Sequence, residues 1–214
     1  MTLAELIAAY RTVSFDTAKP PFVPDELAAL YANEAQTEAV RRSVPLRDSS
    51  LTASVAANEP VVPLDKKVLR IIRARLQSQA RPLEFLTIYE LDRGTSAWET
   101  MTGIPRVLVT DYQNGAVRLW PKPIRDEVLL LTVERLPKKM ESGEDEPEIR
   151  EEHHRSLVNW MLYRAYSRQD ADLFDPNKAA IALKQFESEF GARVSARNEE
   201  WMRQRHVTDA APLG

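Results

Sequence analysis

The chain has no cysteine among its 214 residues, which excludes disulfide bonds, thiolate metal sites and cysteine nucleophiles. It has only six glycines, and they form no phosphate-binding loop. No apolar run approaches the roughly 20 residues that a membrane-spanning helix needs. The early acid Glu5, with no basic residue before it, argues against a signal peptide. These absences are compatible with a cytosolic globular protein.

The chain also lacks an excess of either positive or negative charge. The 29 lysines and arginines nearly balance the 32 aspartates and glutamates, for a net charge of −3. A general nucleic-acid binder needs a basic face for phosphate contacts, so the overall balance argues against that class. A local basic patch remains compatible with it.

No arrangement of side chains typical of catalysis is present. There is no Gly-x-Ser-x-Gly nucleophile elbow, and the paired acids Glu144 and Asp145 lie in a charged loop where nothing is expected to perturb their pKa values. The adjacent His153 and His154 would point about 100° apart on a helix, which favours a solvated helix start over a metal site. His206 is expected to be exposed. We therefore predict no enzyme, no metal site and no cofactor.

Two helices are predicted near the N-terminus. The first covers residues 2–12, where Thr2 and Glu5 have the spacing of a capping box. Three prolines then forbid a regular helix. Asp25 follows them as an expected N-cap, and apolar residues at helical spacing continue through about Arg42.

The sequence pattern changes between residues 45 and 147, which hold nine of the 14 prolines. Short strands are predicted at Leu51–Val55, Val61–Val62, Val68–Leu76, Leu83–Leu86, Val107–Thr110, Ala116–Trp120 and Glu127–Arg135. The spacing in Val68–Leu76 also suits a helix face, and strand is preferred because of its Ile and Val content. The dipeptide Asn114-Gly115 predicts a hairpin. The continuous apolar run within Glu127–Arg135 predicts burial on both faces of that strand.

A short helix is expected inside this β-rich section, over residues 89–101. Leu91, Trp98 and Met101 are its predicted buried residues, and Gly103 ends it. Trp98 and Trp120 are each more typical of a core residue with one polar contact than of a ligand-stacking residue.

Two long helices are predicted to follow. Glu148, Glu151 and Glu152 suit the first turns of one helix, because its dipole favours acids there. Its expected buried stripe is Leu157, Trp160, Met161 and Ala165. Asp175 with Pro176 predicts the start of the next, which is expected to bury Ala179, Leu183, Phe186 and Phe190 and to run to about Arg205, with Gly191 as a weak point.

The predicted fold class is therefore α+β. A helical bundle from residues 1–45 and 148–206 is expected to carry an inserted, small, antiparallel β-rich domain with one short helix, residues 46–147. Residues 207–214 are expected to be a flexible tail.

Two charged regions are candidate interaction sites. The acid-rich stretch 141–152 is expected to be a solvated loop and helix start, with repulsion of DNA or contact with a basic partner as the alternative. The C-terminal segment carries Arg193, Arg197, Arg203 and Arg205 beside Trp201. This segment could insert into a partner or contact DNA. An ordinary helix end, where the dipole favours cations, explains the same residues about equally well.

The order of these elements resembles one family. Leu64-Asp65, the Trp98 helix, Gly103-Ile104-Pro105, Leu119 to Pro123 and the final two helices with Asp175-Pro176 follow one another as in the head-to-tail adaptor (connector) proteins of tailed bacteriophages. The resemblance covers roughly residues 1–206. It points in particular to the podovirus-type, tail tubular protein A-like adaptors.

The resemblance implies a structural virion protein of the neck, made in the cytoplasm of the host bacterium. It implies a homo-oligomeric ring of about twelve copies beneath the portal protein, joined to tail or nozzle proteins and enclosing the DNA channel without sequence-specific binding. By the same resemblance residues 198–214 are the portal-docking segment. The portal-docking candidates are Trp201, Arg197, Arg203, Arg205 and Leu213.

Other functions stay open on the residues alone. A DNA-binding accessory or packaging factor would use the Arg-rich C-terminal helix. A neck stopper or head-completion protein would act at another level of the same junction. A small enzyme with a site built from distant carboxylates has no motif behind it.

Overall fold

The computed structural model describes residues 1–169, 172–196 and 198–199. The described chain is α+β, as predicted, with helices and several small sheets. Its residues divide into two compact units. One contains Met1–Leu46 and Leu136–Val194, and the other contains Arg47–Arg135. Among the described residues, no helix is both long enough and apolar enough to cross a bilayer.

The first unit is helical. Its α-helices are α1 (Leu3–Ser14), α2 (Asp25–Arg42), α4 (Leu157–Tyr166) and α5 (Pro176–Phe190), with a 3-10 turn at Glu151–Ser156. Helix α4 packs against both α2 and α5, and α1 packs against α2 and α4. The largest fully buried side chains of this unit are Leu6, Tyr10, Leu157, Met161, Phe186 and Phe190.

Local signals set the starts of two of these helices, α1 and α5. The capping box of α1 is confirmed, since Thr2 and Glu5 each accept a hydrogen bond from the other's backbone N–H. The start of α5 is confirmed as well, because Asp175 accepts from the backbone N–H groups of Asn177 and Lys178 and Pro176 is the first helical residue. These caps satisfy donors that a helix leaves unpaired.

Three helix predictions are corrected. Asp25 is the first residue of α2 rather than its N-cap, because its carboxylate pairs with Arg11 instead of the helix backbone. The helix expected from Glu148 begins as the 3-10 turn, and α4 proper starts at Leu157. Helix α5 ends at Phe190, where Gly191 has a φ of +78°, and residues 191–195 are not helical.

The predicted buried stripes hold with one exception. Leu157, Trp160, Met161 and Ala165 are buried, as are Ala179, Phe186 and Phe190. Leu183 is only partly buried, and Ala182 is buried instead.

The second unit is built from short strands. These are β1 (Leu46–Val55), β2 (Val61–Pro63), β3 (Val68–Leu76), β4 (Glu84–Leu86), β5 (Thr102–Gly103), β6 (Val107–Gln113), β7 (Ala116–Trp120), β8 (Lys122–Pro123) and β9 (Glu127–Arg135). They form sheets in the orders β1-β9-β3, β2-β7-β6-β4 and β5-β8. Strand pairs β3–β9, β6–β7 and β2–β7 are antiparallel, whereas β4–β6 and β5–β8 are parallel.

The choice of a strand over residues 68–76 is confirmed, and its ambiguous pattern has a structural cause. The pairing of β3 with β9 shifts register between Ile71 and Arg73. The buried residues Ile71, Ala74 and Leu76 are therefore three and then two positions apart. An extra residue in a strand breaks the alternation of faces, and this spacing mimics a helix.

The strand β9 has the bounds that the sequence predicts, but burial on both of its faces is wrong. Leu129, Leu131 and Val133 are buried, whereas Val128 and Leu130 are only partly buried. Antiparallel sheets commonly pack one face against the core and leave the other more open.

The short helix predicted over residues 89–101 is divided. Helix α3 (Ile88–Gly94) ends at Gly94, with Thr95 as its C-cap, and a separate 3-10 turn covers Trp98–Thr100 after Ala97, which has a φ of +52°. Leu91 and Trp98 are buried as expected. Met101 is 42 % exposed, because the chain has left the helix before it reaches that position.

The Asn-Gly hairpin is confirmed and provides a test of backbone strain. Gln113 pairs with Ala116 across the turn, and Gly115 has a φ of +72°. A Cβ atom added to Gly115 would meet no other atom within 4 Å. Gly115→Ala should lower the free energy of unfolding by about 1–2 kcal/mol, because only the backbone conformation opposes the new methyl group. The measurement is urea denaturation of both proteins.

Gly94→Ala is the matched control. Gly94 also has open space around it, but it is the last residue of α3 and its φ is not positive. This variant is expected to be as stable as the parent or slightly more so. Equal stability of the two variants would contradict the assignment of strain to Gly115.

Strand β1 carries a carboxylate whose charge stabilises the fold. The hydroxyl and the backbone N–H of Ser50, with the guanidinium of Arg135, hold the pKa of Asp48 well below its usual range. Because the folded state prefers the ionised form, this stabilisation is present above the unfolded pKa, near 4, and is lost as the pH falls. We expect Asp48→Asn to be less stable than the parent at pH 7.

The difference in denaturation midpoint between Asp48→Asn and the parent should narrow as the pH falls below about 4, since protonation then removes the same charge from the parent. The control is Asp172→Asn, which removes one carboxylate at an exposed position. A difference that stays constant from pH 7 downwards would contradict the argument.

Candidate interaction surfaces

The five predicted portal-docking residues lie outside the described parts of the structure. They are Trp201, Arg197, Arg203, Arg205 and Leu213. His206 and the predicted tail, residues 207–214, lie outside them too. The docking prediction therefore stays a prediction.

The two adjacent histidines have different surroundings. His154 is only 2 % exposed, with Nδ1 2.9 Å from the amino nitrogen of Met1 and Nε2 2.9 Å from the carbonyl oxygen of Ile149. His153 Nδ1 lies 2.7 Å from a carboxylate oxygen of Glu189, and its ring meets the edge of Phe190. A solvated helix start is thus wrong for His154. Within the described residues no three His, Asp or Glu side chains form a group suited to a metal ion.

The two tryptophans of the second unit are structural, as predicted. Trp98 is buried and donates from Nε1 to Asp92 at 2.7 Å, and Trp120 donates from Nε1 to the carbonyl oxygen of Trp98 at 3.0 Å. The guanidinium of Arg118 lies over the rings of Trp98 and Tyr112 at 5.0 and 4.5 Å. A buried cation between two aromatic faces holds this cluster together.

The loop after β9 is anchored to α2 just before its acid-rich stretch. Asn33 of α2 donates to the carbonyl oxygen of Met140 at 3.0 Å and accepts from its N–H at 2.8 Å. Gln36 donates to the carbonyl oxygen of Lys138 at 2.8 Å, and the Met140 side chain is buried. Sequence reasoning missed this pair of polar residues. The available signal was Asn33 and Gln36, three positions apart on the buried face of a helix.

Within that loop the pKa of Asp145 is shifted, contrary to the sequence-based expectation. The backbone N–H groups of Ser142 and Glu141 donate to its carboxylate at 2.8 and 2.7 Å and lower its pKa. Hydrogen bonds to the ionised form favour that form. The carboxylate closes a turn, and nothing in its contacts indicates catalysis.

Of the residues that the structure describes, the large apolar side chain with the highest exposure lies in the loop between α1 and α2. Phe15 is 84 % exposed and has a φ of +56°. Phe22, in the same loop, and Val13, at the end of α1, are exposed as well. Sequence reasoning used this segment only as a break between helices. Two phenylalanines in a proline-rich segment that forms no regular helix were the available signal for exposed apolar side chains.

A second apolar pair lies in the second unit. Ile104 and Ile124 are each about half exposed and follow directly after the paired residues of β5 and β8. Each unit thus presents apolar side chains to solvent on an ordered support.

Comparison with known proteins gives one family. No curated protein matches the chain. A family model described as SU10 adaptor protein matches residues 1–208. This match supports the resemblance to phage head-to-tail adaptors, a structural and non-enzymatic kind of protein, without distinguishing the podovirus type. Because the match covers nearly the whole chain, this protein belongs to the SU10 adaptor protein family.

Proposed function

We propose that this protein is a structural component of a bacteriophage virion that joins the head to the tail. The observation that carries the proposal is the family match over residues 1–208. The contacts of the described residues are consistent with it, because the buried histidine, the shifted carboxylates and the tryptophans all have structural partners. The chain's chemistry is that of interfaces rather than of a reaction.

In the finer form of the proposal, about twelve copies form a closed ring beneath the portal protein. Tail or nozzle proteins bind the other side of the ring, as in the podovirus-type, tail tubular protein A-like adaptors. DNA passes through the enclosed channel without sequence-specific contacts. The net charge of −3 supports this, because a chain without a basic excess does not hold a polyanion. The protein is made in the host bacterial cytoplasm and acts in the virion neck.

The proposal includes the arrangement of the subunit. A helical bundle from residues 1–45 and 148–206 carries the β-rich insertion 46–147, and residues 207–214 form a tail. The mutual packing of α1, α2, α4 and α5 within one compact unit supports this division, as does the grouping of the strands in the other unit.

Portal docking is proposed for the C-terminal segment. Trp201, Arg197, Arg203, Arg205 and Leu213 supply an aromatic anchor, cations and an apolar end. Aromatic residues and arginine are enriched among the side chains that dominate binding energy at interfaces. Ordering of this segment on docking would add contact area at an entropic cost.

Mass photometry of the purified chain, alone and mixed with the portal protein from the same phage genome, tests the proposal. We expect a ring-sized species, or addition of a stoichiometric set of copies to a preformed portal ring. A chain that stays monomeric and ignores the portal would contradict it. Binding only to a completed portal–adaptor assembly would favour a neck stopper instead.

Variants test the docking segment separately. Trp201→Ala combined with Arg203→Ala should weaken portal binding at least tenfold. The matched control combines Tyr89→Ala with Arg93→Ala, which removes an exposed aromatic–arginine pair from α3. Equal binding by both double variants would contradict the assignment. Duplex DNA affinity that falls steeply with salt in the parent, and is lost in the Trp201 variant, would favour the DNA-binding alternative.

A further inference from the structure

The loop between α1 and α2 holds an aromatic side chain in an unfavourable conformation with nothing to pack against. Phe15 has a φ of +56°, a left-handed conformation that bulky residues rarely adopt, and its side chain is 84 % exposed. Phe15 is also the C-cap of α1, where a left-handed residue commonly ends a helix, and its backbone N–H donates to the carbonyl oxygen of Arg11. We call residues 15–24 the Phe15 loop.

A buried carboxylate holds together the loop that follows Phe15. Asp16 accepts hydrogen bonds from the backbone N–H groups of Phe22 and Val23 at 2.9 and 3.1 Å and from the Arg11 guanidinium at 3.3 Å. Arg11 also donates to the carbonyl oxygen of Val23 at 3.1 Å, which ties the two ends of the loop together. A loop fixed in advance loses little conformational entropy when it binds, so its exposed aromatic is preorganised for contact.

The same unit contains a groove that suits such a side chain. It has a volume of about 430 Å³ and lies between α1 on one side and α4 with the preceding 3-10 turn on the other. Its lining residues are Ala9, Val13, Glu152, Arg155, Ser156, Val158, Asn159 and Leu162. We call it the α1–α4 groove. A cavity of roughly 150 Å³ is enough to hold benzene, so a phenyl ring fits here with room for adjoining chain atoms.

The Phe15 side chain does not fill the groove of its own chain, because it is not among the lining residues and is almost fully exposed. Ala9 and Val13 lie one turn apart on the side of α1, whereas Phe15 follows the last residue of that helix. The groove is therefore left open by the aromatic side chain of its own chain and can accept that of another copy. A ring whose subunits contact head to tail needs two such surfaces on every copy.

We propose that the Phe15 loop of one copy docks into the α1–α4 groove of a neighbouring copy, with Phe15 as the inserted side chain; this rests on the ring of the proposed function. Charges complement one another around the contact. The loop carries the exposed cation Lys19, while the groove rim carries the exposed carboxylate of Glu152. Complementary rim charges orient partners and suppress wrong ones.

Disulfide trapping tests this contact without background, since the chain has no cysteine of its own. One variant carries Phe15→Cys and a second, of different mass, carries Ala9→Cys. The two are mixed and oxidised, both alone and with the portal protein. We expect a mixed disulfide between the two chains and little product from either variant by itself. The control replaces Phe15→Cys by Tyr89→Cys, which also puts a thiol at an exposed aromatic position.

The proposal would be overturned if the chains assemble but no mixed disulfide forms. It would also be overturned if Tyr89→Cys forms the disulfide with Ala9→Cys as readily as Phe15→Cys does. A second variant is Phe15→Asn, because asparagine tolerates the left-handed conformation and the fold should be kept. Its self-association by mass photometry should be at least tenfold weaker than that of the parent or of Tyr89→Asn. A trapped contact without portal binding would count against the adaptor function alone, and portal-bound rings without the contact would count against this inference alone.

Discussion

Phe186→Ala should lower the free energy of unfolding by about 3–5 kcal/mol, because it leaves a cavity where the helices of the first unit meet. The Phe186 side chain is fully buried, and its ring centroid lies 5.1 Å from that of Trp160 and 4.7 Å from that of Phe190. The guanidinium carbon of Arg42 lies 5.1 Å from the same ring centroid. Removal of the ring costs its burial and a cation–π contact together.

Guanidinium denaturation followed by tryptophan fluorescence measures this effect, since Trp160 contacts the substituted ring. Ile181→Ala is the control, because Ile181 is on the same helix and 60 % exposed. Ile181→Ala is expected to lower the free energy of unfolding by less than about 1 kcal/mol, as is usual for surface positions. If Phe186→Ala destabilises the protein no more than Ile181→Ala, the core assigned to α5 is wrong.

Asp16→Ala should have the next largest effect and lower the free energy of unfolding by about 2–4 kcal/mol. The Asp16 side chain is fully buried, so its removal leaves the N–H groups of Phe22 and Val23 without an acceptor. The Arg11 guanidinium keeps Asp25 as its remaining carboxylate partner. Asp16→Asn should lose less, since its amide oxygen can still accept a hydrogen bond.

Urea denaturation gives the size of the loss, and amide hydrogen exchange places it in the molecule. The amides of Phe22 and Val23 should exchange faster in Asp16→Ala than in the parent. The exchange rates of the α5 amides should change only as far as the global stability changes. Asp172→Ala, at an exposed position, is the control and should match the parent. An unchanged exchange rate at Phe22 would contradict the role given to Asp16.

The predictions that hold are those whose physical cause is short-range. The capping box at Thr2, the Asp175-Pro176 start and the Asn114-Gly115 turn depend on residues within a few positions of one another. Element type also followed from periodicity, even for β3, where a register shift disturbed it. Several wrong predictions concern the ends of elements, as at Asp25. A side chain there can bind either the helix backbone or a partner elsewhere in the chain, and the local sequence does not distinguish the two.

The interaction surfaces were less predictable than the elements. The C-terminal residues attracted attention because arginines and a tryptophan stand out in a sequence. The Phe15 loop did not stand out, since its interest lies in the exposure of one aromatic side chain and in the hydrogen bonds of the buried Asp16 that hold the loop. Likewise, the α1–α4 groove joins residues near position 9 with residues near position 158, and no local pattern connects them.

The sequence by itself determined the α+β class, most of the strands and helix starts, and the resemblance that the family match supports. These rest on composition, periodicity and local capping. Only the tertiary structure decided that His154 is buried, that Asn33 binds Met140 across 107 positions, and that β9 lies between β1 and β3. Each of these depends on partners far apart in the chain, and such contacts form only when the whole unit packs to bury its apolar surface.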